Sequence, residues 1–137
     1  VLSWKTIIGE VKSLPDGGGV GYDLTEKLPP NSKIAICPIG YWHGYGRVFS
    51  SVGNVLVRGQ RAKVLGRVSM DMITIDVSKI KGGKVGDEVV IIGKQACPNA
   101  CGRGKDQITA YEMAFISDGV NYEIVTRTNP LIKRMLV

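Results

Sequence analysis

The stretch CPIGYWHGYGRVFS, Cys37 to Ser50, interleaves Tyr41, Trp42, His43, Tyr45, Arg47 and Phe49 with Gly40, Gly44 and Gly46. It reads either as a surface loop or as one wall of a site that receives a ligand. Tyr22, Tyr41, Tyr45 and Tyr122 each lie in or beside connections containing glycine or asparagine. A tyrosine fills space, donates a hydrogen bond to phosphate or carboxylate, or serves as a general base when positive neighbours lower a phenol pKa ordinarily near 10. Taken singly, each of the four reads as packing before it reads as chemistry.

Other reactive groups are few. Cys37, Cys97 and Cys101 are an odd number in a chain this long, which argues against a disulfide framework and for a reducing, cytoplasmic setting. Cys97 and Cys101 enclose three residues in ACPNACGRG, too wide for a redox pair and half of a four-ligand zinc site. Cys37 and the lone His43 would have to complete that site from far away, so no metal is expected, only a glycine-rich loop with free thiols. The net charge of +6 suits nucleic acid or a small anion equally. Arg58, Arg61, Lys63 and Arg67 have no aromatic residue between them, so the alternation of a base-stacking platform is missing and nucleic acid is not expected.

These groups must be carried by a domain of 137 residues, enough for one core. No apolar run approaches the roughly 20 residues of a membrane span, and no secretory signal opens the chain. A start at Val1 instead of Met suggests a piece of a longer polypeptide. TIIGEVKSLP alternates and is β-branched, and DGGG ends it in a loop. SKIAICPIG gives another strand. NVLV, a turn at Arg58-Gly59-Gln60, AKVLGRV and MITIDV give three more, and VGDEVVIIG an apolar one. From Asp106 to Ser117 the apolar residues recur at three and four, and Thr109 with Glu112 is a candidate capping box. The expected fold is mostly β, a closed or nearly closed antiparallel or Greek-key barrel with one short helix, closure removing exposed edges.

The order VGYDLT, CPIGYWHGYGR, VLVRGQRAKVLGRVSMDMITIDV, VGDEVVIIG, a helix and VNYEIVTR resembles the carboxy-terminal domain of alanine racemase, a pyridoxal-phosphate enzyme, over nearly the whole chain. GRVSMD is the sharpest element, with CPIGY and NYE close behind. The resemblance implies an amino-terminal (β/α)8 barrel, missing here, that holds pyridoxal phosphate on a lysine. It also implies a head-to-tail homodimer whose active site lies between one subunit's barrel and this domain of the other. It further implies a small amino acid as substrate and an inactive isolated domain.

Carried over residue by residue, Tyr22 is the tyrosine base on the face opposite the cofactor lysine. Inversion at carbon needs a proton removed on one face and returned on the other, while the cofactor ring serves as electron sink. Tyr41 limits entry at the inner mouth of the channel, and the Met70 backbone N–H faces the substrate carboxylate. Asp71 lines the entrance, and Tyr122 hydrogen-bonds the cofactor phosphate. Met70 as plain core, Asp71 as a turn cap and Arg67 as a surface cation remain alternatives.

The chain departs from the family pattern in three places. Trp42 and His43 stand where it has alanine and aspartate, which puts His43 at the channel mouth. Asp23 follows Tyr22 where it has glycine, and KQACPNACGRGK is longer than its turn. These changes bear on substrate size and catalytic efficiency. Two other readings remain. A basic β-barrel binding RNA would need Trp4, Phe49 and Tyr45 exposed on one positive face. A purely structural or dimerising domain would show an apolar patch and no convergent tyrosines.

Overall fold

The β-branched and alternating stretches become strands in a computed structural model that describes residues 2–21, 24–97 and 105–136. The strands are β1 (Trp4–Ile7), β2 (Glu10–Leu14), β3 (Gly18–Val20), β4 (Glu26–Leu28), β5 (Ser32–Cys37), β6 (Asn54–Val57), β7 (Gln60–Leu65), β8 (Ile73–Asp76), β9 (Glu88–Ala96) and β10 (Lys105–Ile108). Two helices follow, α1 (Ala110–Ile116) and α2 (Asn121–Thr126). The domain is mostly β, as the sequence leads one to expect.

The main sheet runs β1-β9-β6-β7-β8-β5-β2 with β10 also on β9, while β3 and β4 pair as a separate hairpin. Every pairing among the described residues is antiparallel. Of the expected closed or nearly closed barrel, closure itself is not formed, because β1 and β2 end the ladder without pairing to each other. The reason lies at Ile8-Gly9, where the stretch read as one strand divides. Ile8 N–H donates to Asp87 O at 2.9 Å and Gly9 N–H to Ile36 O at 2.8 Å, so consecutive residues serve opposite ends of the sheet. The two ends are joined by the covalent chain and not by a ladder.

The β6–β7 hairpin turns at Arg58 and Gly59, with φ of 50° and 70°. Two residues at positive φ give the twist that suits a two-residue hairpin loop. Along β8, Ile73 and Ile75 are buried while Thr74 and Asp76 are half-buried on the other face, the period of two expected of a sheet with one buried side. Val55, Leu56, Val57, Val64, Val89 and Ile91 are wholly buried. Burying each such side chain stabilises by roughly 1.5–3 kcal/mol. Tyr45 joins this core, its ring 4.9 Å from Phe49 and 6.3 Å from Trp4. All three rings are buried, so the stacking face required by RNA binding is absent.

α1 begins as its cap predicts, with Thr109 Oγ1 accepting from Glu112 N–H at 3.1 Å. Such a cap contributes about 1 kcal/mol. The helix is shorter than expected, because residues 105–108 pair with β9 as β10. The Glu112 carboxylate turns away from the cap to Arg61, which also bonds Asp106 at 2.9 Å and the Gln107 carbonyl at 2.9 Å. The Glu112 hydrogen bond, with Asp106 adding to it, raises the Arg61 pKa further and ties β7, β10 and α1 together.

Cys37 is a buried free thiol whose pKa burial pushes up to about 12, so it is chemically quiet. Cys97 is disulfide-bonded, which overturns the expectation of a free thiol there. Cys101 lies outside the described residues. Among the described residues no helix is long and apolar enough to cross a membrane.

Candidate functional site

Two stretches singled out in the sequence meet backbone to backbone. Tyr41 N–H donates to Ser69 O at 3.0 Å and Trp42 N–H to Met70 O at 2.9 Å. A Cβ on Gly40 would lie 2.2 Å from Ser69 O and 2.6 Å from Met70 O, so only glycine permits this approach. From there Tyr41–His43 form a single 3-10 turn, closed by Gly44 in the left-handed region. In this turn Tyr41 is 47% exposed.

Tyr41, Met70 and Asp71 all border one cleft of about 830 Å³, together with Gly21, Arg47 and Arg67. Three sequence-named residues therefore converge. The carbonyl of Met70 is used by Trp42, whereas its N–H has no acceptor among the described residues. With two arginines nearby, the lining suits a small anionic group such as a carboxylate. Arg67, left open between surface and site, is on the cleft. Arg47 was not selected from the sequence, although it belongs to the stretch that raised the question.

Glycines set the remaining wall. Gly66 at φ 62° and Gly21 at φ 84° lie against each other, a Cβ on either coming within 3.0 Å of the other's Cα. Gly21 and Leu24 are bridged by Leu24 N–H to Gly21 O at 3.1 Å. Tyr22 and Asp23, between them in the chain, lie outside the described residues. The Glu26 carboxylate accepts from Lys63 Nζ at 2.5 Å and from Gly66 N–H at 3.1 Å. Burial works to raise its pKa, but the hydrogen bonds from Lys63, Ser51 and Gly66 and the Lys63 charge win and hold it below the usual carboxylate value.

His43 is placed differently from the cleft residues. Its Nδ1 accepts from Gly40 N–H at 3.1 Å, its backbone carbonyl accepts from Asn129 N–H at 3.1 Å, and its ring packs edge-on against Trp42. It does not border the cleft. Tyr45 is a core residue, its phenol pKa raised by burial. Tyr122 stands in α2, apart from the cleft and 77% exposed. Tyr111 and Phe115 on α1, Val125 on α2 and Leu131 after it are also exposed.

Residues 1–136 match the family model described as alanine racemase, C-terminal domain. The chain is 45% identical over 134 residues to an alanine racemase of Halothermothrix orenii, covering 98% of this chain and 33% of that protein. It is 39% identical over 137 residues to a lysine racemase of Proteus mirabilis, covering 100% of this chain and 32% of that protein. A solved alanine racemase from Bacillus anthracis with bound L-Ala-P superimposes with a TM-score of 0.80 at 32% identity, over 92% of this chain and 30% of that one. The chain thus spans about a third of the length of the curated relatives it matches.

Proposed function

The chain belongs to the alanine racemase family as its C-terminal domain, and from that premise we propose that it supplies one wall of the active site of a pyridoxal-phosphate-dependent amino-acid racemase. The observation that carries this reading is the convergence of Tyr41, Met70 and Asp71 with two arginines on one cleft. Tyr22 removes or returns the α-proton on one face. The Met70 N–H receives the substrate carboxylate, and the Arg47 and Arg67 guanidiniums draw that anion in. Tyr41 narrows the inner mouth, and Asp71 stands at the entrance.

When bound, pyridoxal phosphate withdraws electrons from the α-carbon and so makes its proton labile. Of the residues here, Tyr122 fits it: its side chain is 77% exposed, so the hydroxyl is open to donate to a phosphate presented from outside the domain. The lysine anchor belongs to an amino-terminal barrel, and the cleft is completed by that barrel from a second subunit in a head-to-tail homodimer. The exposed Tyr111, Phe115 and Leu131 suit burial against such neighbours. The substrate is a small amino acid, alanine first.

The reading is tested with the full-length parent polypeptide and added pyridoxal phosphate, following optical inversion of L-alanine and, separately, L-lysine. Inversion of either supports a racemase, and the ratio of kcat/KM values assigns the substrate. No inversion of these or other small amino acids overturns it.

A further inference from the structure

Tyr41, Trp42 and His43 form the turn that brings Tyr41 to the cleft, and none of the three is buried. Ile39 and Tyr45 on either side are in the core, so packing fixes the ends of this stretch and leaves its middle to hydrogen bonds. On one side those bonds go to the cleft wall, Tyr41 N–H to Ser69 O and Trp42 N–H to Met70 O. On the other they come from the segment after α2. Asn129 Nδ2 donates to Trp42 O at 2.8 Å, and Asn129 N–H donates to His43 O at 3.1 Å. The backbone at Trp42 is thus held from both sides.

Asn129 arrives at this contact already oriented. Its Oδ1 accepts from Leu131 N–H at 2.9 Å, the two-residue reach of an Asx turn, with Pro130 between them. That bond fixes the amide, oxygen toward Leu131 and nitrogen toward Trp42. The Asn129 carbonyl accepts from Ile132 N–H at 3.1 Å, so every polar atom of the residue is engaged. The residue before it presses on the same turn, since a Cβ on Gly44, which closes the turn at φ 103°, would lie 2.9 Å from Thr128 Cα. The His43 ring differs in kind, because its Nδ1 accepts from Gly40 within the stretch and ties it to no other element.

We infer that Asn129 is a positioning residue that sets substrate size: its bonds to Trp42 and His43 hold the turn against Ser69 and Met70, and so fix where Tyr41 stands at the mouth of the cleft. The inference rests on the racemase reading, in which Tyr41 narrows that mouth. Asn129 does not border the cleft and touches no reacting atom. It acts through the backbone at Trp42. A pocket separates substrates that differ by one methylene by roughly 10- to 200-fold, and does so only while its walls hold their places.

The test uses the full-length parent loaded with pyridoxal phosphate, with Asn129→Ala and Asn129→Asp, each alone and combined with Tyr41→Ala. Asn129→Asp keeps the acceptor for Leu131 N–H but sets an oxygen against Trp42 O, so it breaks the tie to the turn and spares the Asx turn. The first readout is the ratio of kcat/KM for L-alanine to that for L-α-aminobutyrate, one methylene longer, a ratio that loss of folded protein leaves unchanged. Both variants are expected to lower it roughly threefold or more. In the Tyr41→Ala background neither should lower it further, because the ring being positioned is gone. Amide hydrogen exchange, followed by mass spectrometry on the peptide carrying Tyr41 and Trp42, should speed up roughly fivefold in both. A parent-like ratio in either variant, an equal fall with and without the Tyr41 ring, or unchanged exchange in that peptide overturns the inference. Should one variant fail to fold, the other decides by the same criteria. An active parent with any overturning result leaves the racemase reading standing, whereas an inactive parent removes that reading and the inference with it.

Discussion

Trp42 gives its backbone N–H to the carbonyl oxygen of Met70 at 2.9 Å. The aromatic stretch after β5 and the turn before β8 are thereby one structural unit, with Gly40 pressed onto the same carbonyls. Side chains leaving that unit reach a common cleft, and disturbance at Gly40 is transmitted to Met70 without an intermediary. A Cβ at Gly40 forces the two backbones apart. Gly40→Ala is expected to destabilise the domain by about 2 kcal/mol or more, as strained close approaches do, measured by denaturant unfolding. A loss under about 0.5 kcal/mol would contradict the account of this contact.

His43 is engaged by its own turn. With Nδ1 accepting from Gly40 N–H and Asn129 held on its carbonyl, the ring acts as a cap for Tyr41–His43. His43→Ala is expected to cost about 0.5–1.5 kcal/mol of stability, the range of one hydrogen bond, while amino-acid KM of the full-length enzyme stays within twofold. A changed KM with parent-like stability would instead place the ring at the channel mouth, as the family comparison of the sequence implied.

Much of the fold was legible because its signals are local. NVLV, the Arg58-Gly59 turn and the apolar run in β9 carry their own period and turn chemistry. Thr109 and Glu112 announce the start of α1. What was not legible depends on partners distant in sequence. Residues 106–108 read in sequence as the start of the helix, yet β9 recruits them into a strand. Ile8-Gly9 divides one apparent strand because its two halves find partners at opposite ends of the sheet. The β3–β4 hairpin hides in a glycine-rich stretch whose two strands, GGV and EKL, hold one strong strand former, Val20. At the site, Tyr41, Met70 and Asp71 were found through motif and order. Arg47 and Glu26 were not, since an arginine or glutamate shows its use only once its neighbours are known.

Glu26 also makes stability depend on pH. Its folded pKa lies below the ordinary 4.5, so its ionised, Lys63-paired form contributes stability above that value. The contribution is lost as pH falls through the folded pKa. The Tm difference between parent and Glu26→Gln is expected to be largest near pH 7 and to shrink below about pH 4. A difference that stays constant across that range would show that the carboxylate charge is not what matters.

The 137-residue chain alone is expected to fold yet to have no racemase activity and no specific cofactor lysine, because its share of the site is one wall. Mass measurement after borohydride reduction with stoichiometric pyridoxal phosphate checks this. Scattered surface labelling agrees with the account, and a single dominant lysine adduct does not.

The central claim is that this domain brings a proton-transferring tyrosine to one face of a substrate whose other face is served from another domain. Tyr22→Phe in the full-length enzyme keeps the ring and removes the hydroxyl. Loss of a general base costs roughly 10² to 10⁴ in rate. Exchange of the α-proton with deuterated solvent, followed separately for L and D substrate with cofactor absorbance as the loading control, measures the two faces one at a time. The account predicts that exchange of the L substrate collapses by that factor while exchange of the D substrate largely survives and the cofactor stays bound; equal exchange of both enantiomers at parent rates would contradict it.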